Sequence, residues 1–423
     1  MRGDPQLNGS DYLMLGFDYE LRRRGFAGNS CQIVLELGSA ISPDALKQRL
    51  ADLVERHPIL RARPGGIFLP KWKLVGHRVV GPQVRLHRHQ PDLRQQLADE
   101  PLALNRGELI RFDLIERGGG RMDLAFKWAH TLMDANSAEH FLAVVGRADV
   151  PQPATQPTLP PRAKRPLKQR FQIAWKSIHQ LDQFCKAPPR SVGVRRPTAP
   201  ARQKFRVEKF SAEETARVRA NGARHCGALG TAQFHSAVAM VELHQLHQRL
   251  GCASPSYVLP LPVGLRLKGS VEPLFSNQMT MLMVQFFPEQ LDSTASAVAI
   301  LKSQMASGLR TGLLESGVLL AELFRFLPLP LYMAMVKQGL RGEICSLFYG
   351  DTAAVTPLLT TFLGATIEDF THIGATTPSP GLGVIFYFFR GLMRVTVFHL
   401  ENHFSDAEAA EFAAGLRARL LDP

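Results

Sequence analysis

Residues 121–141 read RMDLAFKWAHTLMDANSAEHF. Met122, Leu124, Phe126 and Trp128 alternate with Asp123, Ala125 and Lys127, a period of two that predicts a half-buried strand ending at Ala129. His130 follows directly, and Asp134 stands four residues on. Asn136 or Ser137 is then placed to cap a helix. Glu139 sits where it can return a hydrogen bond to the cap, and the run Phe141 to Val145 supplies a buried side. An imidazole and a carboxylate therefore share one strand-to-helix turn, beyond a sheet edge where a substrate can reach them.

Working outward, Ile110, Phe112 and Leu114 alternate as a strand and Gly118 to Gly120 turn the chain, so a hairpin feeds the turn. Upstream, CQIVLEL at 31–37 reads as a strand. Ser42 caps the helix that follows, with Pro43 at its first position and Leu46, Leu50, Leu53 and Val54 as its apolar stripe, and Pro58 stops it. The second half repeats the mixture. Ser211 with Glu214 starts a helix, Gly230-Thr231 another that runs to Leu250, and strands are expected at 257–262 and 278–287. Helices then run to about Gly339. A late hairpin pairs 384–389 with 393–400 about Arg390-Gly391, and Ser405 with Glu408 caps a last helix with the stripe Ala409, Phe412, Leu416 and Leu420. The fold class is α/β with mixed sheets.

The chain has 423 residues, more than one core comfortably holds. The division read from composition is an N-terminal lobe at 1–150 carrying the turn, a connector at 151–200 and a C-terminal lobe at 201–423. The connector holds ten prolines and ten Lys or Arg against one acid, Asp182, so nine of the thirteen net positive charges fall there. Such asymmetry points to an anionic partner. Within it, Leu167, Phe171, Trp175, Ile178, Leu181 and Cys185 recur at helical spacing beside Lys168, Arg170, Lys176 and Lys186. A basic amphipathic helix over 166–186 can lie peripherally on an anionic membrane or dock an acidic partner, or it can pack its stripe on the body of the protein. Five scattered cysteines without a Cys-x-x-Cys pair favour reduced thiols and a cytoplasmic protein, with the inner face of a membrane as its peripheral site. The first residues, MRGDPQLNGSDYLM, do not read as a signal peptide. The apolar run 318–336 is interrupted by Glu322, Arg325, Pro328 and Pro330, which predicts a buried or interfacial helix stopping at the prolines rather than a span.

His-x-x-x-Asp alone is weak in a chain with 14 histidines. Its company is more specific: RHPILRAR (56–63), WAHTLMDANS (128–137), LPLPVGLRLK (259–268), PLFSNQ (273–278) and PGLGVIFYFFRGLMRVTVF (380–398), in that order. Together these resemble the CoA-dependent acyltransferase superfamily, which includes condensation domains, polyketide-associated acyltransferases, wax ester synthases and chloramphenicol acetyltransferase. The resemblance spans roughly Tyr12 to Leu421. It implies two chloramphenicol-acetyltransferase-like lobes around a central tunnel, donor and acceptor entering from opposite faces. It also implies an acyltransferase moving an acyl group from acyl-CoA or an acyl carrier protein to a hydroxyl or amine of a small-molecule or lipid acceptor. The family's second motif histidine falls on His130, the general base. Its aspartate falls on Asp134 and its arginine on Arg266, a salt bridge supporting the site. Trp128, Ala135 and Asn277 are expected to line the tunnel. Ala129 stands at the first histidine, as in some active members, Ala135 at the glycine and Ser276 at the glycine before Asn277. Ala135 keeps open a second implication, a catalytically silent module that docks a carrier protein. Acyl-CoA or a phosphopantetheinyl carrier would be co-substrate, with no permanently bound cofactor, no metal and a monomeric chain.

Other candidates are weaker. His235, Glu242, His244 and His247 share helical spacing and read as a polar helix face rather than a zinc site. His87 and His89 flank a strand-like run as solvent-exposed groups. Cys226 beside His225 lacks an orienting acid. The basic connector lacks the aromatic interleaving of a nucleic-acid surface.

Overall fold

The computed structural model describes residues 5–66, 68, 70–74, 80–150, 165–193, 202–227, 230–267 and 270–423. Most of the proline-rich parts of the expected connector, 151–164 and 194–200, lie outside the described residues.

In chain order the first half runs α1 (Gly9–Arg22), β1 (Ser30–Leu37), α2 (Pro43–Arg56), β2 (Ala62–Gly65), β3 (Lys71–Leu74), β4 (Gln83–Arg88), α3 (Leu93–Asp99), β5 (Ile110–Glu116), β6 (Met122–Ala129) and α4 (Ala135–Gly146). Helix α5 (Leu167–Phe184) follows. The second half runs β7 (Gln203–Lys209), α6 (Ala212–Cys226), α7 (Thr231–Arg249), β8 (Tyr257–Gly264), β9 (Met279–Phe286), α8 (Thr294–Thr311), α9 (Leu313–Phe324) and α10 (Leu329–Gln338). It ends with β10 (Phe348–Ala354), β11 (Thr361–Phe362), β12 (Ala365–Ile373), β13 (Leu382–Phe389), β14 (Leu392–Leu400) and α11 (Asp406–Leu421).

Local signals act as expected at several ends. Ser42, Ser211 and Ser405 each accept a hydrogen bond from the third backbone N–H of their helix, and the last two complete capping boxes with Glu214 and Glu408. The β13–β14 hairpin turns through Arg390 and Gly391 at φ 48° and 78°, a left-handed pair that matches strand twist. The run 318–336 is split between α9 and α10 around Pro328, and among the described residues no helix is long and apolar enough to cross a membrane.

Two larger sheets carry the molecule. One is ordered β11-β12-β1-β6-β5-β4, the other β10-β13-β14-β7, while β8 and β9 form a separate pair. β12 comes from the second half of the chain yet lies beside β1, with Ile33 between His372 and Phe126. A core of Ile33, Phe112, Leu124, Phe126, Phe141 and their neighbours fills one side of the first sheet. A second core, including Phe234, Val241, Phe286, Val384 and Phe412, joins the second sheet to α7 and α11.

One expectation is corrected at the decisive strand. β6 is buried along its whole length, not on one face alone. Its second face is covered: Ala125, Val34 and Ile373 pack against Ala98 of α3 and Phe205 of β7. Polar residues persist there because each is paired. Asp123 is bridged by Arg94 at 2.5 Å and Arg117 at 3.1 Å. Lys127 donates to the carbonyls of Leu97 (2.9 Å), Ala98 (2.8 Å) and Glu100, closing the open end of α3.

Replacing Lys127 by Met keeps most of the volume but removes that donor. Each buried carbonyl left unpaired costs about 1–3 kcal/mol, so the denaturant-measured unfolding free energy should fall by roughly 3 kcal/mol or more; a loss under about 1 kcal/mol would mean that packing alone seats the strand.

Candidate active site

The turn after β6 is built from backbone outward. His130 N donates to the Asn29 carbonyl at 3.0 Å, extending the β1 ladder by one residue, and Leu132 N returns to the Ala129 carbonyl at 2.9 Å. The chain then extends through Asp134, whose ψ of 173° sets its carboxylate over the first turn of α4. Asp134 Oδ1 accepts from Ser137 N at 3.0 Å, so Asp134 is the N-cap. The cap expected at Asn136 or Ser137 is corrected: an aspartate in extended backbone reaches the third helical N–H first, and both expected residues lie inside the helix. Glu139 is likewise not part of a capping box. It accepts from Thr356 N at 2.9 Å and meets His372 Nε2 at 3.1 Å.

The other oxygen of Asp134 reaches the second half of the chain. Arg266, just past β8, places Nη1 at 2.5 Å from Asp134 Oδ2, which also accepts from Gln278 N at 3.1 Å. Arg266 Nη2 donates to Ser137 Oγ (2.7 Å) and to the carbonyls of Pro273 (3.1 Å) and Ser276 (3.0 Å). One guanidinium thus ties the turn to both ends of the loop between β8 and β9. Such charge-assisted forks are the stronger class of hydrogen bond.

Asn277, expected to line the tunnel, is not on the cavity wall and stands behind it. Its Nδ2 donates to the His130 carbonyl at 2.8 Å and to Asp11 Oδ1 at 3.0 Å, and its backbone N also donates to that oxygen at 2.7 Å. Its amide nitrogen is engaged by the turn carbonyls and the Asp11 carboxylate. Asp11, in α1, was not singled out by sequence. The available signal was the pairing of Asn8 with Asp11 at the start of α1, a capping box in the structure. Burial pushes the Asp11 carboxyl up to about 7, against the hydrogen bonds from Asn277 and Asn8.

His130 faces a cavity of about 250 Å³. Trp128 and Ala135 are on its wall, with Asn29 just before β1, His372 of β12, and Met279, Met281, Phe348 and Phe398 from the second half. The His130 Nδ1 atom is sealed from solvent, leaving Nε2 as the ring nitrogen for the cavity. Burial lowers the His130 pKa below its ordinary value, opposed by nearby backbone carbonyls, the Asp134 carboxylate and the Asn277 side chain. The ring is therefore neutral near pH 7 and able to accept a proton. Ala135 opens α4 without a positive φ, so its methyl group brings no backbone strain and acts only as cavity wall.

A larger cleft of about 1110 Å³ lies between α3 and β7, lined by charged side chains including Arg94, Asp123 and Arg206. It contains none of the turn residues. The histidines of α7 are not a solvated face: His235, His244 and His247 are all buried. They pair with Asp351, the Tyr257 hydroxyl and the Cys252 carbonyl at 2.9, 3.0 and 3.1 Å. Close packing of α7 in the second core demands those partners. His87 is half-buried against Asp113 at 2.8 Å, whereas His89 is exposed. Burial raises the Cys226 thiol pKa, away from a nucleophilic thiolate. Among the described residues no group of three His, Cys, Asp or Glu is placed to hold a metal ion.

No protein-family model and no curated protein matches the sequence. Solved structures do match the fold. The first condensation domain of the calcium-dependent antibiotic synthetase, in complex with a substrate analogue, aligns with a TM-score of 0.71 at 15% identity, covering 100% of this chain and 97% of that one. The trichothecene 15-O-acetyltransferase from Fusarium sporotrichioides aligns at 0.69 and 12% identity, covering 98% and 95%. The epimerization domain from the third module of tyrocidine synthetase B aligns at 0.59 and 13% identity, covering 100% and 96%. The chain has the two-lobed fold of these condensation and acetyltransferase structures. At such identities the likeness is one of fold, and this fold hosts more than one reaction.

Removing one partner of the Asp134–Arg266 pair strands a largely buried charge, so Arg266→Met should cost roughly 3–5 kcal/mol of unfolding free energy. Asp134→Asn keeps an acceptor at the cap and should cost less. A loss under about 1 kcal/mol for Arg266→Met in denaturant titration would show that the cap, not the ion pair, holds the turn.

Proposed function

We propose that this protein transfers an acyl group from a thioester donor, acyl-CoA or an acyl carrier protein, to a hydroxyl or amine acceptor, with His130 as general base. The observation that carries the reading is the His130 imidazole, set on the wall of a cavity between the two halves of the chain, where burial lowers its pKa. As the acceptor oxygen or nitrogen attacks the thioester carbonyl, its proton passes to Nε2 of His130. When the tetrahedral intermediate collapses, the carbon–sulfur bond breaks and the imidazolium returns the proton to the departing thiolate. Asp134, Arg266 and Asn277 are positioning residues: they fix the backbone on which the ring is carried.

The fold shared with a condensation domain and an O-acetyltransferase supports the reaction class. The apolar walls at Met14, Phe17, Met279, Met281 and Phe348 suit an apolar substrate chain, on a small-molecule or lipid acceptor. No resident cofactor enters the scheme, and the protein works in the cytoplasm.

The test is thioester consumption by purified protein given acyl-CoA or acylated carrier protein with candidate alcohols and amines. His130→Ala should lower kcat by about 10²–10⁴-fold at an unchanged melting temperature. Tight carrier binding by the wild type without turnover would replace this reading with the docking module.

The pH profile is a second check. A lowered folded-state pKa keeps the ring neutral further into acid, so kcat/KM should hold above the midpoint and fall below it. That midpoint should lie under the ordinary histidine value of about 6.5. An acid limb centred at or above that value would remove His130 as the titrating base.

A further inference from the structure

Helix α5 turns its large apolar side chains outward. Leu167, Phe171 and Trp175, spaced by four residues, are 60%, 54% and 65% exposed. The buried side of the helix is made instead by Ala174, the half-buried Ser177 and Leu181, and Phe184. Ser177 bonds Ser316 of α9 through both its backbone N (2.9 Å) and its hydroxyl (2.8 Å), and Leu181 and Phe184 pack with Val258 and Leu340. Small residues at the crossing let α5 lie close to α9. The bulky stripe, displaced around the helix by about 100°, is left in solvent.

The charge on this helix is equally one-sided. Over residues 165–186 there are five basic residues, Arg165, Lys168, Arg170, Lys176 and Lys186, against Asp182 alone. Arg165 is paired with Glu315 of α9 at 2.8 Å. Lys168, Lys176 and Lys186 are exposed, and Lys176 Nζ donates to the Thr311 carbonyl at 3.0 Å. Thr311 ends α8, whose last turns carry Leu309, 58% exposed, and Arg310.

We propose that the outer face of α5 is a lipid-contacting surface that seats the protein peripherally on an anionic bilayer. Tryptophan and phenylalanine settle at headgroup depth, where an indole keeps its N–H wet and its ring in the acyl boundary. Lysines among them extend their stems along the apolar zone and place ammonium groups against phosphates. The stripe is a ridge of more than half-exposed side chains, a shape that the yielding headgroup layer accepts. An acidic helix of a protein partner would need a groove to hold its apolar side. This inference stands apart from the acyl-transfer reading: the surface is on α5, outside the cavity.

The protein carries its own reporter. Of its three tryptophans, Trp72 and Trp128 are 2% and 0% exposed, so a solvent-sensitive emission change reports Trp175. Titration of the full chain with phosphatidylcholine vesicles containing phosphatidylserine should shift emission to the blue at low salt. Pure phosphatidylcholine vesicles, or high salt, should not. In vesicle co-sedimentation, Phe171→Ser with Trp175→Ser should weaken partitioning at least about tenfold, and each lysine replaced by glutamine at 168 or 176 about fivefold, with melting temperatures checked to show intact folding. Trp175→Phe should abolish the emission shift while keeping sedimentation. The proposal is overturned by no partitioning onto anionic vesicles at low salt, by partitioning indifferent to the Phe171 and Trp175 pair, or by a dimer in sedimentation velocity that the double serine variant dissolves. A blue shift raised by an acidic carrier protein without lipid would also overturn it, assigning the surface to that partner.

Discussion

The contact between Asp134 and Arg266 holds the rest of the site in place. The strand-to-helix turn at the end of β6 leaves the ladder after His130, and the loop after β8 leaves its own after the Leu265 N–Gln278 carbonyl bond. The guanidinium serves both at once, reaching the cap of α4, the Ser137 hydroxyl and two loop carbonyls. Asn277 adds a second tie, from α1 through Asp11 to the His130 carbonyl. Elements far apart in sequence are thereby locked around one backbone segment, and the imidazole inherits their rigidity. For the proposed role as a base such a mount matters, since a displacement of about 1 Å at a reacting group can cost a hundredfold in rate.

Burial gives that mount its chemical consequence. The same enclosure that removes water from Nδ1 lowers the His130 pKa, so the rigidity of the ring and its neutral form arise from one arrangement. Enclosure also explains why polar residues in β6 stay in their places. Asp123 and Lys127 look solvent-facing by alternation, yet they are covered by α3 and β7 and survive by pairing with arginines and helix-end carbonyls. The strand is held from both faces, and the turn it carries is anchored accordingly. On α5 the reverse holds: Ala174 and Ser177 with Leu181 and Phe184 take the buried side, and Leu167, Phe171 and Trp175 are left outside, which separates that face from ordinary core packing.

What the sequence by itself determined is local and periodic. Alternation defined β5 and β6, serine caps marked the starts of α2, α6 and α11, Arg390-Gly391 marked the last hairpin, and the order of short stretches around His130 carried the fold. These signals lie within a few residues of the structure they specify, because caps, turns and periodicity act through neighbouring backbone. The tertiary structure decided what depends on partners distant in sequence. It made Asp134 the cap as well as the ion-pair partner, turned Asn277 away from the cavity to Asp11, buried the α7 histidines and brought β12 to the side of β1. It also chose which side of α5 faces the body. Periodicity shows that a helix has an apolar stripe, but not whether small residues beside that stripe offer a closer crossing. That choice depends on the shape of α9, more than 100 residues further along the chain.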